Sequence, residues 1–208
     1  MNGEGHRGDL DARGIEAAAR ALASGLVVAI PTDTVYGLAV DPLRPAAAER
    51  LFALKQRPRE IRLPVLVSDE EQVLQVAARV PDVARRLMAR FWPGALTVVL
   101  PRRPGSSADV GVDEATVGVR RPAHPVPLAL CAMTGPLATT SANLHGQEPL
   151  TTADAVRAAF GEGVAVVLDG GTCAGLASTV VDCTGPAAPE LLRQGRIPWE
   201  DVVAAARP

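Results

Sequence analysis

One lysine stands out among the residues that could perform chemistry in this 208-residue chain. Lys55 is the sole lysine, because the other 20 of the 21 basic residues are arginine. Arginine presents a planar fork of N–H donors, whereas a lysine ammonium is a compact charge that suits a phosphate oxygen. The Lys55-Gln56-Arg57 segment therefore predicts an anion site. The alternative is that one lysine survives by compositional drift on a solvated helix end.

Three polar loops each follow an apolar stretch that reads as a strand, at residues 31–38, 139–143 and 178–182. Ligands of open α/β sheets bind beyond the strand ends, where such loops converge. Hydroxyls, an asparagine amide and backbone N–H groups can hold phosphate oxygens or the polar groups of an amino acid. Each loop alone also matches an ordinary Ser/Thr/Asn turn. Three of them, together with the Lys-x-Arg pair, favour a binding site.

Two arginines extend this candidate anion site. Arg120 ends a predicted strand, and Arg193 follows the short apolar run Leu191-Leu192. Each could alone be a solvated surface residue. Together with Lys55 and Arg57 they would suit a polyphosphate ligand and offset charge that develops at phosphorus during group transfer.

Several familiar signatures are missing from the sequence. A Walker A motif needs Gly-Lys-Ser/Thr, and the sole lysine follows Leu54, which excludes a P-loop. No protein-kinase signature set and no G-x-S-x-G elbow is present. The three cysteines lack metal-ligand spacing. Asp33 and Asp182 are the carboxylates best placed to hold Mg²⁺ or to orient the site, and each is also compatible with a simple turn.

The composition limits the classes of protein to consider. Hydrophobic residues make up 48% of the chain, which suffices for a core, while aromatics at 3% disfavour a base-stacking platform. No apolar run reaches the roughly 18 residues of a membrane span, and no signal pattern opens the chain, so we expect a cytoplasmic protein. The net charge is -2, but residues 44–121 hold 14 basic and 9 acidic residues. A basic middle in an acidic chain favours a local anion site over a broad nucleic-acid surface.

The predicted elements alternate between helices and strands, without repeats or a linker. Residues 1–8 are expected to form a flexible tail, and 9–208 a single α/β (α+β) domain with a twisted, mixed sheet. A capping box is predicted at Ser68-Asp69-Glu70-Glu71. Helices are expected near 15–24, 45–55, 81–91, 153–160 and 200–206, with one more after the capping box and a short one after Pro127. Strands are expected near 26–30, 64–67, 96–100, 116–120, 137–140, 164–168 and 178–181.

Seven stretches together resemble the YrdC-type threonylcarbamoyl-AMP synthases, in the family's order. The stretches are Pro31–Leu38, Lys55–Pro58, Trp92–Thr97, Val117–Arg120, Ser141–Asn143, Ser178–Asp182 and Leu192–Gly195. The resemblance implies one domain whose sheet curves around a basic cavity, with helices packed outside. It also implies an enzyme, a nucleotidyltransferase that joins L-threonine, bicarbonate and ATP into threonylcarbamoyl-AMP and pyrophosphate. Mg²⁺ would accompany ATP, and the product would pass to a tRNA-threonylcarbamoyl transferase complex.

The resemblance also assigns residues to the two substrates. Threonine would be bound by Thr34, Arg120, Thr139 and Ser178, with Thr32 and Tyr36 lining the same space. ATP would be bound by Lys55, Arg57, Thr116, Ser141, Asn143 and Arg193. Of these, the catalytic residues would be Lys55, Arg57, Ser141 and Asn143.

The chain departs from the family pattern in two places. The Arg59–Leu63 loop is two residues longer than usual, and Ser68 stands where a histidine is expected. Leu144-His145-Gly146 replaces the usual Ser-Gly after Ser-Ala-Asn. Two other hypotheses remain open at this point: a double-stranded RNA-binding module of the same fold, and a carbamoyl-transfer enzyme of hydrogenase maturation. The latter normally needs zinc-finger regions, for which this chain has no cysteine pairs.

Overall fold

The computed structural model describes residues 12–44, 46–112, 115–144, 146–185 and 188–207. The predicted tail at 1–8, the helix-opening Pro45 and His145 lie outside these ranges. Within them, the helices are α1 Ala12–Ala23, α2 Ala47–Lys55, α3 Glu70–Val76, α4 Asp82–Phe91, α5 Pro125–Thr134, α6 Ala153–Phe160 and α7 Trp199–Ala206. The strands are β1 Val28–Ile30, β2 Gly37–Val40, β3 Val65–Leu66, β4 Leu96–Pro101, β5 Thr116–Arg120, β6 Leu137–Ser141, β7 Val166–Val167, β8 Thr179–Asp182 and β9 Glu190–Arg193.

All nine described strands form one mixed sheet, in the order β7-β1-β2-β6-β3-β5-β4-β8-β9. The pairs β1–β7, β3–β5 and β4–β8 are parallel, and the other neighbours are antiparallel. The predicted α/β class with a mixed sheet is therefore confirmed. Because β2 lies beside β6, the polar residues that precede β2 come close to those at the end of β6.

Helices cover both faces of the sheet. On one face, α1 and α5 contribute Leu22 and Leu130, which pack with Val28 and Ile30 of β1. The intervening Ala29 points to the opposite face, where the larger core cluster includes side chains of α2, α3, α4, α6 and α7. This alternation follows from the two-residue period of a strand. A strand covered on both sides reads as a continuous apolar run.

Side-chain caps set the starts of α3 and α5, and both starts correct the predictions. Asp69, not Ser68, caps α3, because its carboxylate accepts the Gln72 N–H at 2.9 Å. The Gln72 side chain in turn accepts the Ser68 N–H at 3.1 Å. Helix α5 begins at Pro125, two residues before Pro127, and His124 Nδ1 caps it by accepting the Val126 N–H at 3.2 Å.

Strand β2 is absent from the predicted set, because Gly37–Val40 directly continues the polar loop and lacks polar alternation. All four of its residues are buried. No helix in the described part of the chain is long and apolar enough to cross a membrane.

Candidate functional site

A cavity of about 160 Å³ opens where the predicted polar loops meet. The loop before β2, the end of β6 and the residues just before β8 all contribute to its wall. Of the twelve site residues assigned from the sequence, nine line it: Thr32, Thr34, Tyr36, Arg57, Arg120, Thr139, Ser141, Ser178 and Arg193. The remaining three, Lys55, Thr116 and Asn143, are not among its lining residues. Three arginines and no carboxylate line the cavity within the described chain, so its wall is basic.

Arg120 is held in one orientation at this wall. Its Nε donates to the Gly94 carbonyl at 2.9 Å, Nη1 to Thr34 Oγ1 at 3.0 Å, and Nη2 to Asp33 Oδ1 at 2.6 Å. Burial lowers the pKa of Arg120, and the Asp33 carboxylate offsets part of that effect. A guanidinium keeps its proton in proteins, so the charge remains. Three of its five N–H groups are used in these bonds, which leaves one on each terminal nitrogen for a ligand carboxylate.

The two candidate carboxylates, Asp33 and Asp182, have different roles in the structure. Asp33 Oδ1 accepts from Arg120 and from the Ala123 N–H at 3.0 Å, so Asp33 orients the site. Asp182 Oδ1 accepts both the N–H and the hydroxyl of Thr184, at 2.7 and 2.6 Å, which is an ordinary turn. The described residues contain no group of three or more His, Cys, Asp and Glu side chains that could hold a metal ion.

The threonines before β2 form a hydrogen-bond chain with a defined direction. Thr32 Oγ1 donates to the Val35 carbonyl at 2.7 Å and lies 2.9 Å from Thr34 Oγ1. Since the Thr32 proton is used, Thr34 is the donor between the two hydroxyls. Thr34 in turn accepts from Arg120. Both hydroxyls are buried, and the Val35 carbonyl that takes the Thr32 proton sets the direction of the chain.

Ser178 and Arg193 also line the cavity and contact each other. Arg193 Nη2 donates to the Ser178 carbonyl at 2.9 Å and to its Oγ at 3.2 Å. Thr97 Oγ1 lies 2.9 Å from Ser178 Oγ, and it also lines the cavity. The site assignments omit Thr97, although it closes the Trp92–Thr97 stretch that contributed to the resemblance. Desolvation lowers the pKa of Arg193.

The Tyr36 hydroxyl belongs to the framework of the cavity. Tyr36 is fully buried; its hydroxyl donates to the Gly171 carbonyl at 3.0 Å and accepts the Gly170 N–H at 3.1 Å. Burial raises its pKa. Thr139 is similarly tied, because its hydroxyl and its N–H both donate to the Pro64 carbonyl.

Arg57 connects the cavity to the lengthened Arg59–Leu63 loop. Its Nε donates to the Ile61 carbonyl at 2.7 Å and Nη2 to the Arg62 carbonyl at 2.8 Å. Nη1 donates to Thr140 Oγ1 at 3.3 Å; the assignments from the sequence omit Thr140. Burial, and secondarily the charge of Arg193, lowers the pKa of Arg57. The extra loop residues are thus fastened to the site by a cavity arginine.

Lys55 lies beneath the cavity rather than at its wall. It is 1% exposed, and its Nζ donates to the carbonyls of Ser141 and Asn143, both at 2.5 Å. The third contact is Asn143 Oδ1 at 3.1 Å. Burial, and secondarily the charge of Arg57, lowers the pKa of Lys55 to about 8. Direct contact of Lys55 with a phosphate therefore stays a prediction, and here its three N–H groups face protein oxygens.

Thr116 is not among the residues that line the cavity. It starts β5, and Arg120 ends the same strand about 13 Å away. Arg62 Nη1 donates to the Thr116 hydroxyl. A role for Thr116 at the nucleotide also stays a prediction.

A sequence model of a protein family, named Sua5_yciO_yrdC and described as "Telomere recombination", matches residues 20–195. The chain belongs to the Sua5/YciO/YrdC family. The predicted family is thereby confirmed. A member from Mycobacterium tuberculosis (strain H37Rv), provisionally named threonylcarbamoyl-AMP synthase, is 40% identical over 191 residues, covering 91% of this chain and 88% of the relative. The threonylcarbamoyl-AMP synthase of Bacillus subtilis (strain 168) is 40% identical over 197 residues, covering 93% of this chain and 57% of that Sua5/YciO/YrdC member.

Solved structures of the Sua5/YciO/YrdC family agree with the fold. Sua5 of Pyrococcus abyssi, determined in complex with L-threonine, superposes with a TM-score of 0.85 at 38% identity. The match covers 92% of this chain and 56% of that one, so this chain spans about half of the longer Sua5 protein. YciO of Escherichia coli superposes with a TM-score of 0.80 at 26% identity, covering 90% of this chain and 91% of that one.

Proposed function

We propose that this protein is an L-threonylcarbamoyladenylate synthase, which converts L-threonine, bicarbonate and ATP into threonylcarbamoyl-AMP and pyrophosphate. The observation that supports this most directly is the orientation of Arg120. Its buried guanidinium keeps one N–H on each terminal nitrogen beyond those used by Gly94, Thr34 and Asp33. This is the fork that pairs with the carboxylate of an amino acid. A threonine complex of the related Pyrococcus Sua5 and the names of two relatives support the same substrate.

The arginines of the cavity suit a triphosphate. Arg57 and Arg193 both line it; burial lowers the pKa of each, and the charge of Arg193 lowers the pKa of Arg57 further. The Lys55 ammonium adds a third charge from below, without a carboxylate partner among the hydrogen bonds it makes. Fixed positive charges would stabilise the negative charge that builds up on phosphate oxygens in the transition state.

The proposed reaction needs positioning more than covalent chemistry by the protein. The threonine amine attacks CO₂ derived from bicarbonate and loses a proton, which gives a carbamate. A carbamate oxygen then attacks the α-phosphorus of ATP, and the bond to the β-phosphate oxygen breaks, releasing pyrophosphate. Binding both substrates in one cavity converts an encounter of three reactants into a reaction between bound neighbours. In this proposal the protein acts as a nucleotidyltransferase.

Mg²⁺ would arrive with ATP in this proposal, coordinated by phosphate oxygens. Asp33 is committed to Arg120 and Ala123, so phosphates would supply most of the ligands. The product is a reactive mixed anhydride, and we propose that it passes to a tRNA-threonylcarbamoyl transferase complex. ATP, bicarbonate and tRNA are all present in the cytoplasm, where we place the reaction.

The test is pyrophosphate release by the purified protein with Mg-ATP, bicarbonate and L-threonine. We expect release that requires threonine and bicarbonate and that serine supports poorly. Arg120→Lys keeps the charge but removes the fork, and should raise the threonine KM by roughly 100-fold. Arg85→Lys, on the exposed face of α4, is the matched control and should behave as wild type.

Pyrophosphate release no faster than in the sample without threonine would overturn the proposal. If the same sample instead bound double-stranded RNA tightly and ATP did not displace it, the RNA-binding alternative would replace the synthase.

A further inference from the structure

Lys55 occupies a position that a ligand-binding lysine would not be expected to occupy. It is the last residue of α2, it is buried, and its Nζ lies within 3.1 Å of three oxygen atoms of Ser141 and Asn143. An ammonium group has three N–H donors and no acceptor. All three donors are therefore used inside the protein.

The two carbonyls that Lys55 contacts belong to the first and last residues of a short turn, Ser141 and Asn143. Ser141 ends β6, and Asn143 lies two residues further on, with the buried Ala142 between them. Ala142 is held from the other side, since its N–H donates to the Tyr36 carbonyl and its carbonyl accepts the Leu150 N–H. Two carbonyl oxygens that both lie 2.5 Å from one point would repel each other without a cation between them. The conformation of the turn thus depends on the ammonium.

The same contact determines how Ser141 faces the cavity. The Asn143 amide nitrogen donates to the carbonyls of Leu144 and Gln147, at 2.9 and 2.7 Å, so its oxygen must face Lys55. That oxygen also accepts the Ser141 hydroxyl proton at 2.6 Å. Ser141 lines the cavity with its proton already used, and it presents lone pairs to a ligand. It would accept a hydrogen bond, such as one from a ribose hydroxyl, and would not donate to a phosphate oxygen.

We propose that Lys55 is a positioning residue, which clamps the Ser141–Asn143 turn from beneath the cavity and fixes Ser141 as an acceptor, without itself contacting phosphate. This rests on the proposed function only for the identity of the ligand above the turn. Reaching a phosphate would require Nζ to leave two part-buried carbonyls, of which Ser141 would keep only the Asn143 N–H at 3.1 Å, and the Asn143 carbonyl would lose its charged donor. Arg57 and Arg193 already line the cavity and would serve as the phosphate contacts.

The composition of the chain gives a direct measurement. Because Lys55 is the sole lysine, protein labelled with [15Nζ]-lysine yields a single side-chain ammonium signal that needs no assignment. In the free protein we expect slow proton exchange at this signal, as for a buried ammonium with three partners. Addition of Mg-ATP should leave its chemical shift and exchange rate nearly unchanged. A large change of shift on Mg-ATP addition would overturn the proposal, since the ammonium would then have exchanged protein oxygens for phosphate.

A second measurement uses Lys55→Met, which preserves length and removes the charge. Amide hydrogen exchange at Ala142 and Asn143 should be faster than in wild type. Exchange in α6 should be unchanged, because none of the Lys55 hydrogen bonds involves that helix. The kcat should fall roughly 100-fold with little change in the ATP KM. Arg57→Met, which alters the cavity wall, should raise the ATP KM. A selective rise in the ATP KM of Lys55→Met with an unaltered turn would contradict the proposal.

These outcomes are separable from failure of the proposed function. A protein that makes no pyrophosphate would refute the synthase, while the exchange data without ligand would still test the clamp. Should Lys55→Met fail to fold, the labelled wild-type protein still supplies the decisive signal.

Discussion

Arg120 Nη2 donates to Asp33 Oδ1 at 2.6 Å, and both side chains are almost completely buried. This ion pair starts the hydrogen-bond chain that runs from Arg120 through Thr34 and Thr32 to the Val35 carbonyl. Asp33 therefore influences atoms that it does not touch, because it fixes the arginine from which the chain begins. Its own carboxylate is not among the groups that line the cavity.

The substitution Asp33→Asn tests this relationship. The amide oxygen would still accept a hydrogen bond but would leave the buried Arg120 charge uncompensated, so the fork should lose its fixed orientation. We expect the threonine KM to rise at least about tenfold, and the free energy of unfolding to fall by roughly 1–3 kcal/mol. Steady-state kinetics and urea denaturation measure the two effects. Asp182→Asn, at a turn, is the control and should change stability by less than about 0.5 kcal/mol; equal effects of the two substitutions would be inconsistent with a special role for Asp33.

The Lys55 ammonium predicts opposite responses of activity and stability to alkaline pH. Burial lowers its pKa to about 8 from the ordinary 10.5, so above pH 8 the folded protein loses a proton that the unfolded chain retains. The free energy of unfolding should then rise with pH between 8 and 10.5, relative to Lys55→Met. Turnover should fall over the same range, roughly tenfold from pH 7 to pH 9, because the neutral amine has only two N–H donors. A pH profile for Lys55→Met that keeps the same alkaline decline would assign the decline to another group.

The substitution Tyr36→Phe tests whether the tyrosine hydroxyl stabilises the fold around the cavity or contacts the substrate. The hydroxyl bridges Gly170 and Gly171, and its removal leaves the part-buried Gly170 N–H without this acceptor. We expect a loss of about 1–3 kcal/mol in the free energy of unfolding, with a threonine KM within about twofold of wild type. Chemical denaturation and pyrophosphate release provide the two values. A tenfold rise in KM at unchanged stability would instead make the hydroxyl a substrate ligand.

Gly195 lies too close to the backbone just before β8 for any side chain. A Cβ there would overlap the Ser178 carbonyl carbon and lie 2.5 Å from the Ala177 oxygen, and both are backbone atoms that cannot move independently. Gly195→Ala should lower the free energy of unfolding by about 3 kcal/mol and reduce turnover strongly, since Ser178 and Arg193 would shift apart. Gly185→Ala is the matched control, because a Cβ there meets none of the described atoms within 4 Å. Wild-type activity of Gly195→Ala would exclude this constraint.

Much of the fold was accessible from local sequence signals. Residues 116–120 and 153–160 were predicted with the observed bounds, because the first alternates strongly and the second follows a capping Thr152. The strand at residues 37–40 was missed, since burial on both faces removes the alternation that marks a strand. The cap of α3 was misplaced by one residue and the start of α5 by two, where two neighbouring polar or proline residues offered equivalent starts.

The site was predictable to the extent that strand ends determine it. The register that pairs Gly37 with Ser141 brings two polar loops together, and the parallel pairing of β4 with β8 places Ser178 beside Thr97. The sequence did not reveal which of these side chains line the cavity and which are buried beneath it. Lys55 and Arg57 are two residues apart, yet one is buried beneath the cavity and the other lines it. That difference arises from packing against residues about 85 positions away, at Thr140, Ser141 and Asn143.

Strand β9, which holds Arg193, is the outermost strand of the sheet next to β8, and all four of its residues are exposed. An edge strand with little apolar burial opens locally at a lower free energy than the core does. Each such fraying event would carry one cation of the cavity away while the remaining strands stay intact. On gentle heating, activity would therefore be lost reversibly at temperatures below that of cooperative unfolding, because β9 would separate from the sheet before the core unfolds.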